Sequence, residues 1–332
     1  MESFPKVFIG PDCSLSLSNG IAHGLQKRWG ESFNVANGHL IKFKDGDSLY
    51  QLGENSRNEG VYLIQPADSD QHFMRLMRMV DAALLSSASK ITIVFTYYPG
   101  RQDRKDRPRV GITAALIARM TMAALGECPF KKIMIFEPHC DQLEMAFNGQ
   151  PSDKLWATTI LLDAFQAKYA FNPSEFAVGG PDPGSIKLVR KACSILGIES
   201  YFHGDKRRVA DDKMKIVSIV GDVEGKKVII RDDMSDTGGT LNDIVRFCQN
   251  KGATEAYALI SHGILVDPAI EVLQRTRDES ILKHIFITDS VNNDHRTFPD
   301  DLVTIVPCGD YLANAIYLNT IPGGSLSELP GM

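Results

Sequence analysis

The sequence predicts an α/β protein built from two largely parallel sheets, each covered by helices. Three observations carry this expectation. Short apolar, β-branched runs alternate with segments of helical periodicity along nearly the whole chain. Several of these runs break at their carboxyl ends into polar turns bearing Gly, Pro or Asp, where open α/β sheets place ligands. A length of 332 residues suits roughly two domains, each large enough for a core. The expected division is an N-terminal domain over 1–155, a C-terminal domain over 156–320, and a Gly- and Ser-containing tail over 321–332 that frays.

Taken in order, Val7 to Gly10 reads as a first strand, followed by a helix from Leu15 to Trp29. His39 to Phe43 is β-like and meets the turn Lys44-Asp-Gly-Asp47. Val61 to Gln65 is the next strand and Phe73 to Leu85 the next helix, its methionines (Met74, Met77, Met79) read as core. Lys90 to Thr96 and Lys132 to Phe136 are strands on either side of a helix from Gly111 to Leu125. Pro151 to Lys154 and a helix from Trp156 to Lys168 form the passage between domains. In the second half, strands at Phe176–Gly179, Glu199–His203, Ile216–Val220, Val228–Ile230 and Ala256–Ile260 continue the alternation. Strands near Ile285 and Val303 and a helix from Asp310 to Leu318 close it.

Composition excludes several classes. With 43% apolar and 23% charged residues the chain has an ordinary globular make-up, and a net charge of −5 argues against generic nucleic-acid binding. Six cysteines are scattered without a Cys-x-x-Cys pair, which fits reduced thiols better than a disulfide frame or zinc site. The N-terminus lacks a signal pattern and no apolar run could span a bilayer, so a cytoplasmic protein with no membrane partner is expected.

The stretch that organises the chain is Lys227-Val-Ile-Ile-Arg-Asp-Asp-Met-Ser-Asp-Thr-Gly-Gly-Thr-Leu241. Val228, Ile229 and Ile230 form a buried strand; Asp232, Asp233 and Asp236 sit at its carboxyl end. Thr237-Gly238-Gly239-Thr240 then turns into a helix. Two glycines at a helix N-terminus let backbone N–H groups approach an anion, and the helix dipole favours a phosphate. Carboxylates cannot hold that phosphate; their partners are hydroxyls or magnesium. Phosphate in the turn and hydroxyls on the acids describe a sugar phosphate. The absence of a Walker lysine excludes an NTPase P-loop. The bland alternative, an acidic turn and a capped helix, accounts for fewer of these residues.

Tyr97 to Arg109 is an unusual polar segment in which Arg101, Arg104 and Lys105 follow directly on a strand, a position suited to polyphosphate. Read blandly, it is a solvated mixed-charge loop. Glu137-Pro-His-Cys-Asp141 likewise breaks from a strand, and His139 there suits a magnesium ligand, a substrate contact or a cap.

The stretch from Lys227 resembles the ribose-phosphate-binding loop of type I phosphoribosyltransferases and of ribose-phosphate pyrophosphokinases. The rest of the chain favours the second. Arg101-Gln102-Asp103 and the two residues after them resemble that family's nucleotide-binding motif, and Phe43-Lys-Asp45-Gly-Asp47 resembles its loop that clamps adenine from a neighbouring subunit. Glu137-Pro-His139 is similar to its Asp-x-His motif, and Gly180-Pro-Asp182-Pro-Gly184 to its Pro-Asp-x-Gly turn. Asp205-Lys206-Arg-Arg208 resembles the flexible catalytic loop, while Ser261 to Ile264 and Ile287 to Ser290 fall where the family has similar strings. The order is collinear.

The resemblance implies two type I phosphoribosyltransferase-like domains and transfer of diphosphate from ATP to the anomeric hydroxyl of ribose 5-phosphate. It implies that Thr237–Thr240 hold the 5-phosphate, with Asp232, Asp233 and Asp236 at the sugar and Asp236 also capping the turn. It further implies that Phe43, Asp45, Asp47, Arg101, Gln102 and Asp103 meet ATP, that His139 and Asp182 hold magnesium, and that Lys206 and Arg208 stabilise the transition state. A homo-oligomer follows from the shared adenine site, dimer-based and compatible with a hexamer. Glu137 stands where the family has Asp, Arg231 where it is usually apolar, and Tyr98-Pro-Gly100 replaces a Gly-Tyr-Ala pattern. Ser56 and Arg57 resemble part of a regulatory phosphate site that Cys308-Gly-Asp310 matches poorly. An inert regulatory subunit and a product-consuming phosphoribosyltransferase are the competing readings.

Overall fold

The computed structural model describes residues 4–105, 107–208 and 214–331, without the side chains of 206–208 and 214–215. The first half runs β1 (Lys6–Ile9), α1 (Leu15–Trp29), β2 (Gly38–Lys42), β3 (Ser48–Leu52), β4 (Gly60–Pro66), α2 (Asp70–Leu85), β5 (Lys90–Tyr97), α3 (Thr113–Leu125), β6 (Phe130–Phe136), α4 (Leu143–Ala146) and β7 (Ser152–Leu155). Among the described residues, β1, β4, β5, β6 and β7 form one sheet in that order, every pairing parallel. Central β4 and β5 are buried along almost their whole length, as a parallel sheet covered on both faces requires. The passage expected at Pro151–Lys154 is instead edge strand β7. The β2–β3 hairpin stands apart as its own two-stranded sheet, turning through Gly46 at φ +94°.

The second half adds α5 (Thr158–Lys168), β8 (Phe176–Gly180), α6 (Ile186–Leu196), β9 (Tyr201–Arg208), β10 (Met214–Val220), β11 (Lys227–Ser235), α7 (Gly239–Asn250), β12 (Glu255–Gly263), α8 (Ala269–Glu279), β13 (Leu282–Thr288), β14 (Val303–Val306) and α9 (Gly309–Thr320). Its sheet has the order β10-β9-β8-β11-β12-β13-β14. All pairings are parallel except β9 with β10, an antiparallel edge.

One apolar core crosses between the halves. Leu17, Ile21 and Leu25 of α1 recur at helical spacing and share a cluster with Leu312 and Ile316 of α9, Phe165 of α5 and Leu259 of β12. Helix α1 starts at Ser14, whose hydroxyl accepts from the Leu17 N–H at 3.1 Å. The two helices touch backbone to backbone: a Cβ on Gly309 would lie 2.7 Å from Gly20 Cα. That crossing requires glycine at 309 and leaves little room for a Cβ at 20. In α2, Met77 and Met79 are core as read, but Met74 is exposed.

The tail is ordered, contrary to the fraying its composition suggests. Ser325 and Glu328 form a capping box around a short 3₁₀ turn, with the Ser325 N–H donating to Glu328 Oε1 at 3.0 Å. Leu329 beyond it is 3% exposed within the shared core. Burial of one leucine and a reciprocal cap outweigh the freedom of neighbouring glycines. Leu329→Ala is therefore expected to cost about 2–4 kcal/mol in urea unfolding, and an unchanged midpoint would show the tail is not anchored.

A polar cluster closes the carboxyl ends of β1 and β4. Arg75 and Gln65 both reach the Asp12 carboxylate, all three being buried. His72 joins it, with Nε2 at 3.2 Å from Asp12 and Nδ1 at 2.6 Å from Asp68. The bond to Asp68 holds the imidazole above its ordinary pKa, against burial and the Arg75 charge. A raised histidine pKa stabilises the fold fully below the unfolded value and loses that contribution as pH rises through the folded one. The stability difference between the wild type and His72→Gln should thus be fullest below about pH 6 and shrink as pH rises through the folded value. Thermal melts across pH would show this; a difference that grows with pH would contradict it.

Candidate active site

Strand β11 is flanked by β8 and β12, and it runs further than its apolar triplet suggests. Pairing with β12 continues from Lys227 to Ser235, so Asp232 and Asp233 are on the strand itself. The chain then turns at Gly238, which sits at φ +73° as the residue preceding α7. A Cβ there would meet Leu273 of α8 at 3.0 Å, so both backbone conformation and packing select glycine. Among the described residues no side chain caps α7. The expectation that Asp236 caps this turn is not met, because Arg101 draws its carboxylate away, at 2.8 Å. The first N–H groups of α7 thus face the cavity without a side-chain cap, which is the arrangement that receives an anion.

A cavity of about 1000 Å³ opens at these carboxyl ends. Asp232, Asp233, Asp236, Thr237, Gly238 and Thr240 line it from the second sheet. Arg101, Asp103 and His139 reach it from the turns after β5 and β6 of the first sheet, and Asp182 from the turn after β8. Gly239 opens α7 just behind this wall, and Gln102 folds back to donate to the Arg104 carbonyl at 2.8 Å. Phe43, Asp45 and Asp47 do not line it. They occupy the β2–β3 hairpin tip, where Phe43 is 48% exposed and Asp47 meets Arg78 at 3.1 Å. Lys206 and Arg208 fall among the side chains outside the described residues; Asp205 beside them lines the cavity.

The two sheets touch through the site itself. His139 Nδ1 lies 2.6 Å from Asp233 Oδ2, joining residues 94 apart in the chain. That bond raises the His139 pKa against the effect of burial, aided by the nearby charges of Asp103 and Asp182. Burial would push Asp233 up, yet the His139 bond and charge hold it below the usual carboxylate range. Asp182 also fixes its own turn, accepting from the Gly184 N–H at 2.9 Å. Lys187 of α6 pairs with Asp141 across the cavity, and Lys154 reaches the same acid at 2.9 Å. Nothing in the sequence pairs Asp141 with Lys187, since only the fold brings them together. Trp156, read as helix, is cavity wall.

The donor set suits a hard cation that arrives with its own ligands. Asp103, Asp182 and Asp233 surround His139 with negative charge, yet among the described residues no three His, Cys, Asp or Glu side chains form a ready metal cage. Magnesium is commonly held by one or two carboxylates plus substrate phosphates rather than by an all-protein cage. The residues fit that mode.

A parallel α/β fold with an uncapped helix N-terminus, acids at a strand end and basic groups across one cavity defines the class of protein to which such a site belongs. Family comparison is specific. The model of the N-terminal domain of ribose phosphate pyrophosphokinase matches residues 7–126, and that of the phosphoribosyl synthetase-associated domain matches residues 206–325. A ribose-phosphate pyrophosphokinase of Fusobacterium nucleatum is 33% identical over 94% of this chain and 93% of its own. One from Chlorobaculum tepidum is 36% identical over 76% of this chain and 75% of its own. The crystal structure of phosphoribosylpyrophosphate synthetase from Mycobacterium smegmatis superposes with a TM-score of 0.78 at 28% identity, covering 95% of this chain and 98% of that one. The chain belongs to the ribose-phosphate pyrophosphokinase family.

Gly238→Ala tests the turn directly. Left-handed backbone strain and the Leu273 contact should together destabilise by about 1–3 kcal/mol in urea unfolding, whereas a neutral result would mean the turn relaxes into another conformation.

Proposed function

We propose that this cavity is where diphosphate passes from ATP to the anomeric hydroxyl of ribose 5-phosphate, and that the residues meeting there divide the two substrates between them. The enzyme is a ribose-phosphate diphosphokinase, yielding 5-phospho-α-D-ribose 1-diphosphate and AMP. One observation carries the residue assignment: the nucleotide-side groups Arg101 and His139 meet the sugar-side acids Asp236 and Asp233 at 2.8 and 2.6 Å in one cavity. A phosphoribosyltransferase would have no need of that second basic wall.

In this reading the α7 N-terminus with Thr237, Gly238, Gly239 and Thr240 takes the 5-phosphate, while Asp232 and Asp233 take ribose hydroxyls. Asp236, released from Arg101 as ATP enters, joins them. Arg101, Gln102 and Asp103 meet the nucleotide. His139 and Asp182 would hold a magnesium ion, which would supply positive charge to offset that of the triphosphate. The anomeric oxygen attacks the β-phosphorus and loses its proton to solvent; the bond to the bridging oxygen breaks, and AMP leaves with the electron pair. Lys206 and Arg208 offset the charge that grows on that oxygen and on the equatorial oxygens. A loose transition state makes little demand on a general base.

The hairpin tip supplies the adenine clamp to another copy. Ile41, Phe43 and Leu49 are all more than one-third exposed on this small sheet, which gives an apolar surface for a partner protomer to cover. A dimer-based homo-oligomer, with a hexamer as its larger form, follows from this assignment. The units 1–155 and 156–320 then carry nucleotide and sugar phosphate respectively. Among the described residues no helix is long and apolar enough to cross a membrane, and the six cysteines are free. The cytoplasm is the compartment these features suit.

Chromatography of a reaction containing ATP, magnesium and ribose 5-phosphate should give AMP and phosphoribosyl diphosphate in equal amounts. ADP in place of AMP would overturn the chemistry; substrate binding without turnover would point to an inert subunit. Lys206→Ala should lower kcat by about 10²–10³-fold while ribose 5-phosphate binding persists, and unchanged turnover would remove Lys206 from the mechanism. Phe43→Ala should raise the KM for ATP without weakening ribose 5-phosphate binding; an unaltered KM would place adenine elsewhere.

A further inference from the structure

The two departures from the family pattern that flank the motifs, Glu137 and Arg231, are partners. Arg231 Nη2 donates to Glu137 Oε1 at 2.7 Å, and both side chains are fully enclosed. Arg231 has further anchors in the second sheet: the Ser261 hydroxyl at 2.9 Å, the Leu259 carbonyl at 3.4 Å and the carbonyl of Asp232 next to it. Glu137 is held from all sides. Its Oε2 accepts from the Ala157 N–H at 2.6 Å, its N–H donates to the Leu155 carbonyl at 2.7 Å, and its carbonyl accepts from His262 at 3.0 Å. Its backbone sits at φ +43°, a conformation a non-glycine residue rarely adopts unless its surroundings enforce it.

These contacts close a circuit with the active-site bond. Glu137 stands two residues before His139, and Arg231 stands next to Asp232 and Asp233. Among the links between the two sheets, Arg231 with Glu137 is enclosed, while His139 with Asp233 lines the cavity. The inner link is dry and the outer one faces the substrates. A buried pair anchored at both ends fixes how far apart its two turns stand, whereas the outer bond must yield when a cation and phosphates enter.

We propose that Glu137 and Arg231 form a positioning pair that sets the His139 turn against the Asp232–Asp233 strand end and so tunes the binding of magnesium-ATP. The inference rests on the assignment of His139 to the nucleotide side. Glu137 acts through the turn that carries His139, and Arg231 acts through the strand that carries the sugar-side acids. The two should therefore differ in which substrate their loss disturbs.

The test uses the full-length protein as Glu137→Gln, Arg231→Met and the double variant. Glu137→Gln should raise the KM for magnesium-ATP about tenfold or more while the KM for ribose 5-phosphate stays within about twofold. Arg231→Met should raise both. The double variant, which replaces a buried ion pair by neutral groups, should recover thermal stability relative to either single variant yet keep the elevated KM for magnesium-ATP. Glu137→Asp, with the shorter carboxylate, should restore part of the nucleotide affinity. A purely structural pair would instead make KM values follow the melting temperature, or leave them unchanged in the folded fraction; either result overturns the proposal. Amide exchange in wild type and Glu137→Gln gives a readout independent of turnover. Residues 139–142 should exchange about tenfold faster in the variant while β6 is unaffected, and equal exchange would also overturn the proposal. Wild-type protein that forms no AMP but shows the exchange difference would refute the catalytic reading and leave the positioning pair standing.

Discussion

A guanidinium with no solvent exposure constrains this molecule more than any other group. Arg231 cannot be buried without a counter-charge, because an isolated ion in a medium of low dielectric costs far more than a fold's net stability. Glu137 supplies that charge from the other sheet, so the two halves are obliged to meet at this depth and in this orientation. Removing one partner of such a pair typically costs about 3–5 kcal/mol, since the other charge is left uncompensated. That is a large share of the roughly 5–15 kcal/mol by which domains are stable. Close packing of α1 on α9 at Gly20 and Gly309 is a second contact that fixes how the two halves meet.

The strands and helices could be read from the sequence because their signals are local. Val228, Ile229 and Ile230 announce β11, and the spacing of Leu17, Ile21 and Leu25 announces the buried face of α1. The glycine turn into α7 is equally legible, since Gly238 takes a left-handed backbone and leaves no room for a Cβ. The extent of β11 was not. Asp232 and Asp233 are poor strand formers, and only the continuous register with β12 through Gly263 holds them extended. The tail departs from its composition for a similar reason: its glycines and serines suggest fraying, whereas Leu329 and the Ser325–Glu328 cap anchor it.

Pairings across long sequence separations left no trace in the sequence. Glu137 and Arg231 each look like a liability alone, a longer acid and a misplaced cation. Together they are one substitution in physical terms. The same holds for Lys187 with Asp141, and for Arg101 with Asp236, whose ion pair displaces the expected cap. Local rules assign an acid before a helix to capping, but a guanidinium on the facing sheet offers a stronger partner than a single backbone N–H.

This pattern explains how the site can be rigid in frame and yielding in content. Among the described residues the acids near His139 do not form a cage for a metal, and the Arg101–Asp236 and Lys187–Asp141 pairs at the cavity are exposed or half-exposed ion pairs worth little in water. Pairs of this kind open at small cost to a charged ligand, because each displaced partner exchanges one charge contact for another. Beneath them the links are enclosed, multiply bonded and costly to open. Phosphoryl transfer asks a protein mainly for position and electrostatic complement. A fold that places its expendable bonds at the cavity face, and its enclosed ones directly behind, is suited to that demand.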